Sequence, residues 1–164
     1  MTGAEMQFSS ANFKIESSNC NSIVYLEKSP SGKKKLNIAG KNNFTDARMS
    51  NVHFSFANNS QNNFKDAILA NCDMSDATLN NTDFNNAVLR GANLSHSDLY
   101  FANLENADLD GVNLYNTQLN EANLQFTSMS GVLINKNTIF TSLKFKKSNL
   151  KISNFIFHKF YLFI

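Results

Sequence analysis

From Phe44 to Ile134 every fifth residue is apolar with one exception, and the residue two places before it is usually small. The run is Phe44, Met49, Phe54, Asn59, Phe64, Leu69, Met74, Leu79, Phe84, Leu89, Leu94, Leu99, Leu104, Leu109, Leu114, Leu119, Leu124, Met129 and Ile134, and only Asn59 breaks it. Two places upstream stand Ala47, Ala57, Ala67, Cys72, Ala77, Ala87, Ala92, Ser97, Ala102, Ala107 and Ala122. The residue between is often Asn or Asp, as in Ala92-Asn93-Leu94 and Ala107-Asp108-Leu109. A period of five fits neither an amphipathic helix, which repeats near 3.6, nor a half-buried strand, which repeats at 2. It is the pattern of a repeat architecture, whose units cannot bury an apolar face alone and so share a continuous core.

This A(D/N)Lxx pattern resembles the pentapeptide-repeat family, and the resemblance covers residues 42 to 134. It implies an all-β fold, a right-handed quadrilateral β-helix of about 5–6 coils, in which four five-residue sides make one square coil of twenty residues. On that count each central residue stacks on the one twenty positions away. The first column is Phe44, Phe64, Phe84, Leu104 and Leu124, with its aromatics at one end. The second is Met49, Leu69, Leu89, Leu109 and Met129, and the third Phe54, Met74, Leu94, Leu114 and Ile134. The fourth holds Asn59, Leu79, Leu99 and Leu119. Burying each large side chain contributes roughly 1.5–3 kcal/mol, which offsets much of the ordering entropy.

The chain divides into three stretches on this frame. Residues 1–41 read as a partial coil, carried by Phe8 and Ala11-Asn12-Phe13, followed by a hairpin or cap. Residues 22–27 and 35–39 read as short strands around the turn chemistry of Lys28-Ser29-Pro30-Ser31-Gly32, and they serve as an end cap or as a functional loop. Residues 42–134 are the regular helix. After Ile134 the frame slips by one, and Phe140, Phe145, Leu150, Phe155 and Phe160 again recur at five, so residues 135–164 read as a degenerate coil with an apolar C-terminal cap. Ile156, Phe157, Tyr161 and Leu162 cannot all point inward. Phe155, Phe157, Phe160, Tyr161 and Phe163 therefore cover the solenoid end, pair with a second subunit as a homodimer, or touch a membrane surface. The stretch is too short, and too interrupted by His158 and Lys159, to span a bilayer.

Composition fits one solenoid domain in 164 residues, with Pro once and Trp absent. The Asn content, which elsewhere signals loops, recurs here at fixed phase, where stacked amides can bond coil to coil; Asn43, Asn63, Asp83, Asn103 and Asn123 form the clearest such ladder. The formal net charge of +2 hides a segregation. Residues 42–134 carry ten acids against Arg48, Lys65 and Arg90, a net of −7, whereas residues 1–41 are net +3 and residues 135–164 net +6. An acidic rod therefore has two basic ends.

Catalytic chemistry finds no support, and no cofactor or metal is expected. His53 and His96 lie about two coils apart at different phases. Asp46 and Asp66 stack one coil apart on an open outer wall, with no concavity to shift their pKa values. Gly91, Gly111 and Gly131 are spaced by twenty as a corner stack and are not a phosphate loop. Cys72 fills a small inward position, and Cys20 and Cys72 give neither metal spacing nor a disulfide framework. Residues 1–15 hold no apolar run of the signal-peptide kind, so a cytoplasmic location is expected, in the producing cell or in a host entered without a cleaved signal.

Two binding classes remain. The first is a protein-interaction scaffold whose outward aromatics Tyr100, Phe101 and Tyr115, with Phe56 and Phe126 nearby, are the candidate anchors, joined by Asp46 and Asp66 as candidate partner-binding acids; the other reading of the aromatics is packing on neighbouring coils. The second follows from the resemblance, since some family members linked to quinolone resistance imitate B-form DNA and bind DNA gyrase. Sparse acids and basic ends weigh against it here. The family also includes bacterial proteins delivered into host cells, which implies a bacterial source and leaves an effector-like role open. Direct nucleic-acid binding is disfavoured because lysines and aromatics share no groove.

Overall fold

The five-residue unit folds because it closes a turn on itself. The Ala47 N–H donates to the Phe44 carbonyl at 3.0 Å, Ala67 to Phe64 at 3.0 Å and Ala87 to Phe84 at 2.9 Å. The third residue of these turns has positive φ, as in Asp46 (60°), Asp66 (59°) and Asn86 (59°). A hydrogen-bonded turn with positive φ at that place is type II, and it bends the chain between one short side and the next. Asn, Asp and Gly fill most such places because they enter the left-handed region at least cost. Gly91 shows the second reason for glycine: at φ 67° its missing Cβ would stand 2.5 Å from the Asn71 side-chain oxygen in the coil below.

The computed structural model describes residues 24–28, 34–38, 42–50, 54, 57–144 and 148–149. Two strands, β1 (Val24–Lys28) and β2 (Lys34–Ile38), form an antiparallel hairpin with Val24 opposite Ile38 and Lys28 opposite Lys34. The hairpin agrees with the sequence expectation, its strands starting and ending a residue or two away from the expected limits. The rest of the described chain is a right-handed quadrilateral β-helix. Each side touches the next coil through a single parallel bridge: Asn43 pairs with Asn63, Asn63 with Asp83, Asp83 with Asn103, and Asn103 with Asn123. Hydrogen bonds run both ways across each step, from Phe44 N to Asn63 O at 2.7 Å and from Asn63 N to Asn42 O at 2.9 Å. These parallel pairings bring stacked side chains to about 4.8 Å spacing, close enough to exclude water from the interior.

The four columns are buried as the twenty-residue count requires, except that Ile134 at the end of the third is only partly buried. Phe44, Phe64 and Phe84 stack nearly parallel, with ring centroids 5.0 and 5.3 Å apart, and Phe54 meets Phe64 edge-on at 6.1 Å. Polar residues at small inward positions bond the preceding coil: Thr82 Oγ1 donates to the Asn59 carbonyl at 3.0 Å, and Thr117 Oγ1 to Leu94 at 2.8 Å. The Cys72 side chain is buried, with its sulfur 2.9 Å from the Met49 carbonyl oxygen.

The slip after Ile134 is visible in the pairing. Leu133 bridges Asn113 at an offset of twenty, whereas Ile139 bridges Gln118 and Lys144 bridges Asn123, each one residue further on. The extra residue is absorbed at a corner, where the Asn135 side chain accepts from Asn116 N at 3.1 Å and donates to the Asn116 side-chain oxygen at 3.0 Å. Phe140 and Leu143 then pack on the core. Phe145, Leu150 and the C-terminal residues Phe155, Phe157, Phe160, Tyr161 and Phe163 lie outside the described residues.

Asn59 is 1% exposed, and neither its side-chain oxygen nor its nitrogen has a hydrogen-bond partner. Asparagine and leucine carry the same number of side-chain heavy atoms, so Asn59→Leu removes two unpaired polar atoms with little change of volume. Each buried unpaired group costs about 1–3 kcal/mol, so Asn59→Leu is expected to raise the urea midpoint at unchanged slope. An unchanged or lowered midpoint would show that the amide is satisfied in solution.

Candidate functional site

Because the columns use every inward side chain, any recognition must use the corners and the outward residue of each side. Among the described corners with positive φ, nearly all carry Asn, Asp, Gly or another polar residue, while Phe101 (φ 56°) and Phe126 (φ 60°) are apolar. A bulky side chain in this region is an outlier that folding alone does not require. Both rings are exposed, Phe101 at 50% and Phe126 at 43%, as are Tyr100 at 42% and Tyr115 at 38%.

The structure brings only part of the expected aromatic set together. Tyr100 and Phe101 are the two central residues of one corner, with rings 4.4 Å apart and edge-on. Tyr115 belongs to the preceding corner stack, above Ser95 and beside Asn116, which stands above His96, and not to the Tyr100 corner, because fifteen residues are three sides and not four. Phe126 sits on the corner that follows Phe101 around the coil, one level higher. Phe101 and Phe126 thus flank the first face diagonally, and the ladder lies between them. Phe56 lies outside the described residues.

The ladder is hydrogen-bonded side chain to side chain over its last three residues, whereas the Asn43 and Asn63 oxygens accept from Thr45 and Lys65 within their own turns. Asn123 Nδ2 donates to Asn103 Oδ1 at 3.1 Å, and Asn103 Nδ2 donates to Asp83 Oδ1 at 2.9 Å. Asn123 Nδ2 also reaches Glu105 Oε2 at 3.1 Å. A second ladder, not singled out by the sequence reading, runs from Asn113 to Asn93 at 3.0 Å and from Asn93 to Asp73 at 3.2 Å. Its signal was the same one: Asn or Asp repeated at one phase of twenty.

Asp46 and Asp66 stack as expected, but at a corner and not on a flat wall, since both have positive φ. Asp66 accepts from Asn86 Nδ2 at 2.8 Å. The described salt bridges all involve Arg90, which reaches Asp108 at 2.7 Å and Asp110 at 3.4 Å. Asp110 is held below its ordinary value chiefly by the Ser128 hydroxyl at 2.6 Å, against the opposing effect of burial, and further by the Ser130 N–H and Arg90. Its partner Arg90 is raised, chiefly by the hydrogen bonds it donates to Asp108. His96 is an exposed corner residue 3.1 Å from Asn116 Nδ2, and among the described residues no carboxylate or second histidine is bonded to it. His53 lies outside the described residues. Among the described residues no cluster of three or more His, Cys, Asp or Glu could hold a metal, and no helix is long and apolar enough to cross a membrane.

Comparison with known proteins agrees with this geometry. The family model of pentapeptide repeats matches in eight copies, over residues 43–81, 63–96 and 97–135. HetL, a pentapeptide repeat protein involved in heterocyst differentiation regulation from the cyanobacterium Nostoc sp. strain PCC 7120, is 34% identical with a TM-score of 0.54; the match covers 55% of this chain and 38% of HetL. Rfr23, from the cyanobacterium Cyanothece 51142, is 36% identical with a TM-score of 0.51, over 62% of this chain and 66% of Rfr23. The chain therefore spans less than two thirds of the length of either. Full-length QnrB1, a plasmid-mediated fluoroquinolone resistance protein, is 16% identical with a TM-score of 0.29, over 65% of this chain and 73% of QnrB1. No curated protein matches the chain.

Two consequences follow for the corners. Phe126→Asn exchanges a strained, exposed ring for a residue suited to positive φ, and it should stabilise the fold by about 1 kcal/mol, read as a higher melting temperature; a lower one would mean that the ring packs productively. For Asp110 the folded value lies below the unfolded one, so its contribution is complete above the ordinary carboxylate range, about pH 4, and is lost as pH falls through the depressed value. The melting temperature of Asp110→Asn should accordingly fall less steeply with acid than that of the parent chain, and parallel acid limbs would exclude this origin.

Proposed function

Since the chain belongs to the pentapeptide-repeat family, we propose that it is a non-catalytic, rigid scaffold for protein–protein interaction, with the exposed aromatic corners as its anchors. The supporting observation is the pair Phe101 and Phe126: large apolar side chains, about half exposed, at backbone positions that disfavour them. Aromatic side chains are frequent hot spots because a few of them, once desolvated, dominate an interface. A rod that holds them on fixed corners spends no entropy on ordering its side of the contact, which is how preorganisation raises affinity. Tyr100 and Tyr115 extend the same aromatic belt over two corners.

The second reading is a DNA mimic acting on gyrase or a related topoisomerase, favoured by the net charge of −7 over residues 42–134. It uses charge alone and leaves the aromatic corners without a role. A supercoiling assay that is unchanged at micromolar protein would remove it.

The scaffold reading predicts that affinity capture with the parent chain retains a protein that Tyr100→Ala/Tyr115→Ala loses at least in part, while both chains melt alike. Equal capture by the two would place the interface elsewhere.

A further inference from the structure

We infer that the first face, framed by Phe101 and Phe126, receives an arginine-bearing segment of the partner protein; this rests on the scaffold reading and names the chemistry of its partner. The ladder on this face turns its amide donors inward along the stack, Asn123 to Asn103 and Asn103 to Asp83. Asp83 Oδ1 accepts from Asn103 Nδ2 and Asn85 N, and Glu105 Oε2 from Asn123 Nδ2, so the acceptors left for a partner are the second oxygen of each of these carboxylates and the Glu121 carboxylate. Asp46, Asp66, Asp83, Glu105 and Glu121, half of the ten acids of residues 42–134, lie on this face or its two corners, and none makes an ion pair among the described residues. Asp108 and Asp110, by contrast, are already matched by Arg90.

The arrangement repeats at both edges. Glu121 follows Phe101 by twenty residues and stands directly above it, and Glu105 is on the level beneath Gln125-Phe126 at the other corner. Each exposed ring therefore has a carboxylate one level away on its own corner. A guanidinium is donor-only, always charged and planar, so it can lie on the ring and pair with the carboxylate at once. An ammonium satisfies the charge but stacks less well. A phosphate-bearing partner brings only acceptors and more negative charge, and it does not fit.

The test uses the full chain and a fluorescein-labelled twelve-residue peptide of alternating Arg and Ser, followed by anisotropy. The Arg peptide should bind, a Lys-Ser peptide should bind at least threefold more weakly, and a Glu-Ser peptide should not bind. Phe101→Asn/Phe126→Asn should weaken the Arg peptide at least tenfold without lowering the melting temperature, and Glu105→Gln/Glu121→Gln should do the same. Asp76→Asn/Asp98→Asn removes the same charge from other faces and should change affinity less than twofold. Equal losses in the last two variants would mean diffuse attraction and overturn the proposal. So would dimerisation of the parent chain in sedimentation, abolished by the phenylalanine variant, with no peptide binding, since a second copy would then cover the face. Failure of the Arg peptide alongside a capture lost in Tyr100→Ala/Tyr115→Ala would overturn this occupant and leave the scaffold standing; failure of both would remove the scaffold too.

Discussion

The left-handed residue at each corner is the constraint on which the molecule depends. It lets a five-residue side end in a type II turn, and four such turns return the chain to its starting direction after twenty residues. Everything else is a consequence of that closure. The inward positions fall into four columns, the backbone groups meet those of the next coil, and the outward residues are brought into vertical register. A residue that raised the cost of one corner would weaken its own coil and both neighbouring contacts, because stability in a repeat protein is a sum over units and interfaces.

The same constraint explains why the surface is more informative than the interior. Asn, Asp and Gly at the corners and Leu, Phe or Ala inside are what folding selects, so they say nothing about partners. Phe101 and Phe126 run against that selection. The five acids on the same face and its corners make no ion pair among the described residues, and Glu105 and Glu121 lie one level from the two rings. Features that the fold does not need, gathered on one face, are the physical basis for reading that face as a site.

Much of this was legible in the sequence because packing obeys the period directly. The four columns, the aromatic stack at Phe44, Phe64 and Phe84, the glycine corner and the one-residue slip before Phe140 all follow from counting. Tyr115 could have been assigned to its own corner by the same count, since only multiples of twenty stack. The direction of hydrogen bonding along the Asn103 and Asn123 amides is set by the acceptor-only carboxylate of Asp83 at the foot of the bonded run. Other features could not be read. Asn59 stood out as a polar lapse, but the period does not say whether its amide finds partners, and among the described residues it finds none.

Four sides per coil also govern how such a chain can change in length. A duplication of twenty residues would lengthen the rod and leave every later side chain facing the same way. A duplication of five, equally acceptable to the local turns, would rotate all that follows by a quarter turn and carry Phe126 away from the face it shares with Phe101. The single residue inserted between Ile134 and Ile139 does neither, because one corner absorbs it and the pairing resumes one residue later. Growth of this protein is therefore quantised in space more coarsely than in sequence, and surfaces that must cooperate can be separated only by whole coils.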